Sequence, residues 1–182
     1  SSGEFTTKKG KLVSKDYMTM EESIPFYEEN GGKFIVLPLN GGIKAVFVLG
    51  NVDKVSEKLK DANSQTVNVK LPKLDVETSF EAGEFVKFLK ARGANLAFDG
   101  AKADFSAMSD ADFFISNIIQ KTKMIADEDG IEAAAATMVT METCAMYEPQ
   151  EIKEFHANQP FRFMIYTNAD TPELLFYGQI VE

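Results

Sequence analysis

The chain has 182 residues, 45% hydrophobic and 26% charged, enough for one globular core. Its formal net charge of -9 and pI near 4.7 argue against nucleic acid or an anionic membrane as principal partner. Its one cysteine, Cys144, excludes an internal disulfide framework, a cysteine-based metal cluster and a CxxC redox motif. No apolar run approaches the ~20 residues that cross a bilayer, so no spanning helix is expected. The start, Ser1-Ser-Gly3, lacks both an initiator Met and a signal-peptide pattern and is read as a cloning or proteolytic boundary.

Residues 1–50 read as successive strands. Lys11–Val13, Tyr17–Met20 and Ile24–Tyr27 are short alternating runs separated by charged or glycine turns. Phe34–Leu39, Asn40-Gly41-Gly42 and Ile43–Leu49 predict a hairpin: the turn residues tolerate positive φ, and the flanks are rich in β-branched and aromatic residues. Val52 to Leu59 predicts a short amphipathic helix. Val67 to Thr78 alternates as one long strand, with Pro72 at an edge or bulge. Glu84 to Lys90 predicts a helix ending near Gly93. Phe113 to Ala126 predicts a strand, and Phe161–Tyr166 with Leu174–Val181 a C-terminal hairpin. The class is α+β, mostly β, and 1–182 reads as part of a single domain.

The stretch Asp127-Glu-Asp-Gly-Ile-Glu-Ala-Ala-Ala-Ala-Thr137 carries conflicting signals. Alanine has the best helix propensity, but the run is short, follows Gly130 and passes into Met138-Val-Thr-Met141, which prefers strand. A short surface helix is the plain reading. A segment that sits in a loop in one state and enters a sheet in another is the alternative.

Several blocks decide between them. The stretch 127–137 resembles the proximal hinge of the reactive loop of serpins. Leu37–Leu49, Val69–Lys73 with Glu77–Ser79, Ala103-Asp-Phe-Ser-Ala-Met-Ser109, Ser116–Lys121, Asn158-Gln-Pro-Phe-Arg-Phe163 and Leu175-Phe-Tyr-Gly-Gln-Ile-Val181 are similar to blocks of that family, in its order. The resemblance covers about the C-terminal half of a serpin. It implies a serpin fold of mixed sheets and few helices, with a reactive-centre loop region at 130–157.

What the resemblance implies is a metastable suicide inhibitor of serine proteases. The loop is cleaved as substrate, an acyl-enzyme forms, and the hinge enters the large sheet as a new strand. The missing N-terminal half is then a partner, because this half alone lacks a complete sheet and should not inhibit. An extracellular or cell-surface location follows from the resemblance only. No cofactor, metal site, nucleic acid or membrane partner is indicated, and the protein is not read as an enzyme.

The residues test that mechanism independently. An inserting strand buries alternate side chains. One face of the hinge carries Ile131, Ala133, Ala135, Thr137, Val139 and Met141, none charged; the other carries Glu132, Ala134, Ala136, Met138, Thr140 and Glu142. A charge on the first face would have to be desolvated and would block insertion. Gly130 supplies a backbone pivot, and Ile131 is larger than the Thr or Ser often found there.

The spacing that the resemblance carries from Gly130 puts the reactive bond at Cys144–Ala145. Small side chains there suit elastase-like enzymes, and no Arg or Lys lies between Gly130 and Glu151 to suit trypsin-like ones. A shifted bond would make Thr143 or Met146 the specificity residue, Met146 suiting chymotrypsin-like enzymes. Lys73 and Glu128 match an ion pair that gates insertion. Ser116 and Gln120 match the buried shutter beneath the large sheet, where Gln120 stands in place of the usual His and cannot titrate. Two other readings are a non-inhibitory serpin acting as ligand carrier or chaperone, and a thiol enzyme using Cys144 with His156. Nothing but proximity in a loop places those two residues together.

Overall fold

The computed structural model describes residues 1–80, 83–127 and 151–182. They form two compact units, one of residues 1–74 with 126–182 and one of residues 75–125.

The first unit is built on an eight-stranded sheet. β1 (Ser2–Thr6) pairs with β2 (Leu12–Glu29), which is followed by β3 (Gly32–Leu39), β4 (Ile43–Leu49), β5 (Asn63–Pro72), β8 (Lys153–His156), β9 (Phe161–Thr167) and β10 (Leu174–Ile180). Their order is β10-β9-β4-β3-β2-β5-β8, with β1 on β2 off that path. The hairpin expected at 34–49 is present, with Phe34 opposite Val48 and Leu39 opposite Ile43. So is the C-terminal hairpin, with Ile180 opposite Phe161.

Phe34 through Leu37 and Ala45 through Leu49 are buried consecutively, so these central strands are covered on both faces. One face holds Phe34, Val36, Val46, Val48, Met164 and Tyr166, closed by Val52 and Val55, with Tyr27, Leu59 and Ala62 at its margin. On the other, Phe161 meets Phe5 and Phe47 at ring distances of 6.5 and 6.3 Å. The helix expected over 52–59 is shorter: α1 (Val55–Lys58) begins after Lys54 in a left-handed conformation (φ 51°) and passes into a 3-10 turn at Leu59–Asp61.

Three short runs expected as separate strands, at 11–13, 17–20 and 24–27, fall from Leu12 onward in the single strand β2. Glu21, Glu22 and Ser23 read as a turn, yet β2 runs through them because Asn68, Val67 and Thr66 of β5 pair with them one for one. β2 turns into β3 through Asn30 and Gly31, both with positive φ (50° and 78°), in a two-residue hairpin loop.

The long strand expected over 67–78 is broken. β5 ends at Pro72, buried and opposite Tyr17, and the Lys73 N–H donates to the Asp16 carbonyl at 2.7 Å. Proline has no N–H with which to continue a ladder, so it closes the strand rather than bulging within it.

The second unit holds most of a two-stranded sheet of β6 (Leu74–Ser79) and β7 (Lys121–Ala126), with α2 (Glu84–Ala91) and a 3-10 turn at Leu96–Phe98. α2 matches the helix expected there. The strand expected from Phe113 is shorter, since only Lys121–Ala126 is strand. Its partner β6 has six residues, and a strand can be no longer than the backbone that pairs with it. Among the described residues of this unit only Val86 and Phe98 are buried hydrophobics, whereas Phe88, Leu96, Met108, Phe113, Phe114, Ile119 and Ile125 are exposed.

Candidate functional site

The candidate site follows β7 in the chain and precedes β8. Gly130, Ile131, Glu132, Ala133, Ala134, Ala135, Ala136, Thr137, Thr143, Cys144, Ala145, Met146 and Glu128 lie outside the described residues. What the structure describes is the framework on either side of them.

Upstream, β7 alternates. Thr122, Met124 and Ala126 are half-buried, and Lys121, Lys123 and Ile125 are exposed. Lys123 reaches Asp75 of β6 at 3.3 Å; both groups are more than half exposed, so the pair contributes at most ~1 kcal/mol. The pairing begins at Gln120, whose carbonyl accepts the Phe80 N–H at 3.1 Å. The Ser116 and Gln120 side chains are exposed here, and the backbone of Gln120 makes the contact. Lys73 stands exposed between β5 and β6.

Asn117 was not singled out by the sequence. Its Oδ1 accepts the N–H of Gly83, just before α2, at 3.0 Å and that of Ile118 at 2.9 Å, fixing the segment before β7 to the start of the helix. The available signal was an Asn inside an apolar stretch, since its side chain competes for backbone donors. The Ala103-Asp-Phe-Ser106 block also has a local role. Asp104 Oδ1 accepts both the N–H (3.0 Å) and the Oγ–H (2.7 Å) of Ser106, which hold its carboxyl below the usual carboxylate range.

Downstream, β8 lies parallel to β5, with Val69 opposite Phe155 and Lys70 opposite His156. Phe155 and Ala157 are fully buried, and the Ala157 N–H donates to the Lys70 carbonyl at 2.8 Å. Lys33 Nζ donates to the Glu154 carbonyl at 2.7 Å from β3. The span named 130–157 therefore includes a strand of the sheet at its end. His156 is a half-buried member of that strand.

Elsewhere in the first unit, a hollow of about 250 Å³ is lined by Pro25, Val36, Pro38, Leu59 and Ala62, with Lys44 and Asn168 as polar members. Among the described residues no group of three or more His, Cys, Asp or Glu side chains could hold a metal ion. No helix among them is long and apolar enough to cross a membrane.

All of residues 1–182 match the family model for serpins, described as serine protease inhibitors. The chain belongs to the serpin family. It is 31% identical over 159 residues to an uncharacterized serpin-like protein of Thermococcus kodakarensis, covering 87% of this chain and 36% of that protein. It is 34% identical over 164 residues to the leukocyte elastase inhibitor of Homo sapiens, covering 86% and 41%. The native-state crystal structure of tengpin, a thermophilic serpin, matches 100% of this chain and 50% of its own with a TM-score of 0.76 at 27% identity. This serpin chain thus spans half or less of the length of these relatives.

Proposed function

We propose that the protein containing this chain is a serpin-type inhibitor of serine proteases, acting by cleavage of the 130–157 region and insertion of its hinge into the large β-sheet. The observation that carries this is the uncharged face Ile131, Ala133, Ala135, Thr137, Val139, Met141, which follows β7 in the chain and satisfies the period-two burial of a central strand. An elastase-like target is the best match to Cys144 and Ala145 at the reactive bond, with Thr143 and Met146 as neighbours. The same specificity is carried in the name of the human relative. Lys73 with Glu128 as gate and Ser116 with Gln120 as shutter belong to this reading, as does an extracellular or cell-surface location.

The test incubates the full-length protein with an elastase, followed by a denaturing gel and mass spectrometry. A covalent complex that survives denaturant, with a C-terminal peptide beginning at Ala145, supports both mechanism and bond. Cleavage without a complex removes the inhibitory reading for that protease.

The ligand-carrier reading draws on the hollow beside Lys44 and Asn168. It predicts that loop cleavage leaves thermal stability unchanged, whereas insertion raises it.

A further inference from the structure

The two Asn-Gly turns of the first unit differ in a way that has a chemical consequence. In the β2–β3 turn, Asn30 is already left-handed (φ 50°), and the paired residues Glu29 and Gly32 fix a two-residue loop. Gly32 is buried, with the Asn51 carbonyl directly over its Cα, and the Gly31 carbonyl packs on Gly50. This turn cannot swing without unpairing its strands.

The β3–β4 turn has three residues, Asn40-Gly41-Gly42, all exposed. Gly41 and Gly42 have φ of +83° and +73°, and nothing lies within 4 Å of where a side chain on either would sit, as is also true of Gly31; the turns differ in the conformation of the asparagine and in the packing of Gly32 and of the Gly31 carbonyl. Neither the Asn40 amide nor the Gly41 N–H has a hydrogen-bond partner among the described residues, and the same holds for the Asn30 amide and the Gly31 N–H, so backbone conformation and packing make the difference. Besides the Leu39–Ile43 pair that closes it, the loop is tethered by the Asn168 N–H on the Gly42 carbonyl at 2.8 Å, beyond the nitrogen that must move. Glycine after the asparagine leaves that nitrogen unshielded and the backbone free to rotate.

We propose that Asn40 is a site of spontaneous deamidation in the folded protein, and that Asn30 is not. The Gly41 amide nitrogen gives up its proton to solvent base and bonds to Cγ of Asn40. The Cγ–Nδ2 bond breaks, ammonia leaves with a proton from solvent, and a five-membered succinimide closes. Water then opens either ring carbonyl, giving aspartate or isoaspartate; the sum is one water consumed and one ammonia released. The product adds a negative charge at the hairpin tip. Where isoaspartate forms, the backbone lengthens by one carbon and strains the Asn168–Gly42 hydrogen bond.

The experiment keeps the full-length protein folded at mildly alkaline pH in heavy-oxygen water and maps its peptides by mass spectrometry. Heavy oxygen and isoaspartate should accumulate at Asn40 at least several-fold faster than at Asn30. Asn40→Gln, whose ring would be six-membered, should remove the modification at that position while the fold is retained. Equal rates at the two asparagines, or an intact Asn40 amide until the protein is unfolded, would overturn the proposal.

Discussion

Gly178 in β10 stands opposite Phe163 in β9, and the phenyl ring fills the place that a β-carbon on residue 178 would take. No other residue fits without displacing an aromatic ring that is itself buried. Gly178→Ala should therefore destabilise the fold by ~1–3 kcal/mol, the range for overpacking. Phe163→Leu in the same chain should recover part of that loss. Denaturant midpoints of the single and double variants check this, and an unaffected single variant would contradict the packing described.

Phe155 is the anchor of β8. Truncating it to Ala should cost ~3–5 kcal/mol and release the Ala157–Lys70 hydrogen bond. Ile152→Ala, at a side chain 50% exposed, should change stability by no more than ~0.5 kcal/mol. Urea titration with amide exchange at Ala157 separates the two; similar losses would mean that β8 is not held by Phe155.

With two buried hydrophobics among the described residues of 75–125 against the doubly covered β3 and β4, local opening should differ between the units. In the 182-residue chain, amides of β7 should exchange orders of magnitude faster than those of Phe34–Leu37 and Ala45–Leu49. Equal protection would show that the second unit is stabilised by something other than burial.

Asp104 has a folded-state pKa lowered by its two hydrogen bonds from Ser106. A lowered carboxylate contributes stability above its unfolded value, near ~4, and loses it as pH falls through that value toward the folded one. Glu29, lowered chiefly by its hydrogen bond from Lys58, acts in the same direction. Asp104→Asn should make the urea midpoint less dependent on pH below ~4 than in the unaltered chain. An unchanged acid slope would remove Asp104 from the linkage.

If the hinge inserts as proposed, Ala135→Glu places a charge on the face to be buried and should convert inhibitor into substrate. Ala136→Glu, on the other face, should leave most complex formation intact. The fraction of protease trapped as covalent complex measures this. Equal loss in both variants would mean that the period-two face does not govern insertion.

Local pattern predicted what local forces determine. The 34–49 hairpin announced itself through apolar flanks and Asn40-Gly41-Gly42, and the end of α2 through Gly93. β1 and β8 did not, because Ser-Gly-Glu-Phe-Thr and Lys-Glu-Phe-His are polar stretches with one buried aromatic each, made strands by distant partners in β2 and β5. The same dependence worked in reverse at 113–120, where apolar residues find no six-residue partner beyond β6. At the site, the alternation over 131–142 is a property of residue order and lies outside the described residues. The exposure of Ser116 and Gln120 was not legible in the sequence, since burial depends on what packs over a residue.

β8 lies at one edge of the eight-stranded sheet, while β9 and β10 lie toward the other, and the span 127–152 is the chain's route from β7 to β8. A single cut within that span yields a severed tail that grips the sheet at both margins, with Phe155, Ala157, Phe161, Met164 and Tyr166 sealed inside. The two pieces should then stay together as a noncovalent heterodimer. They would co-elute under native conditions and part only when the sheet itself is unfolded.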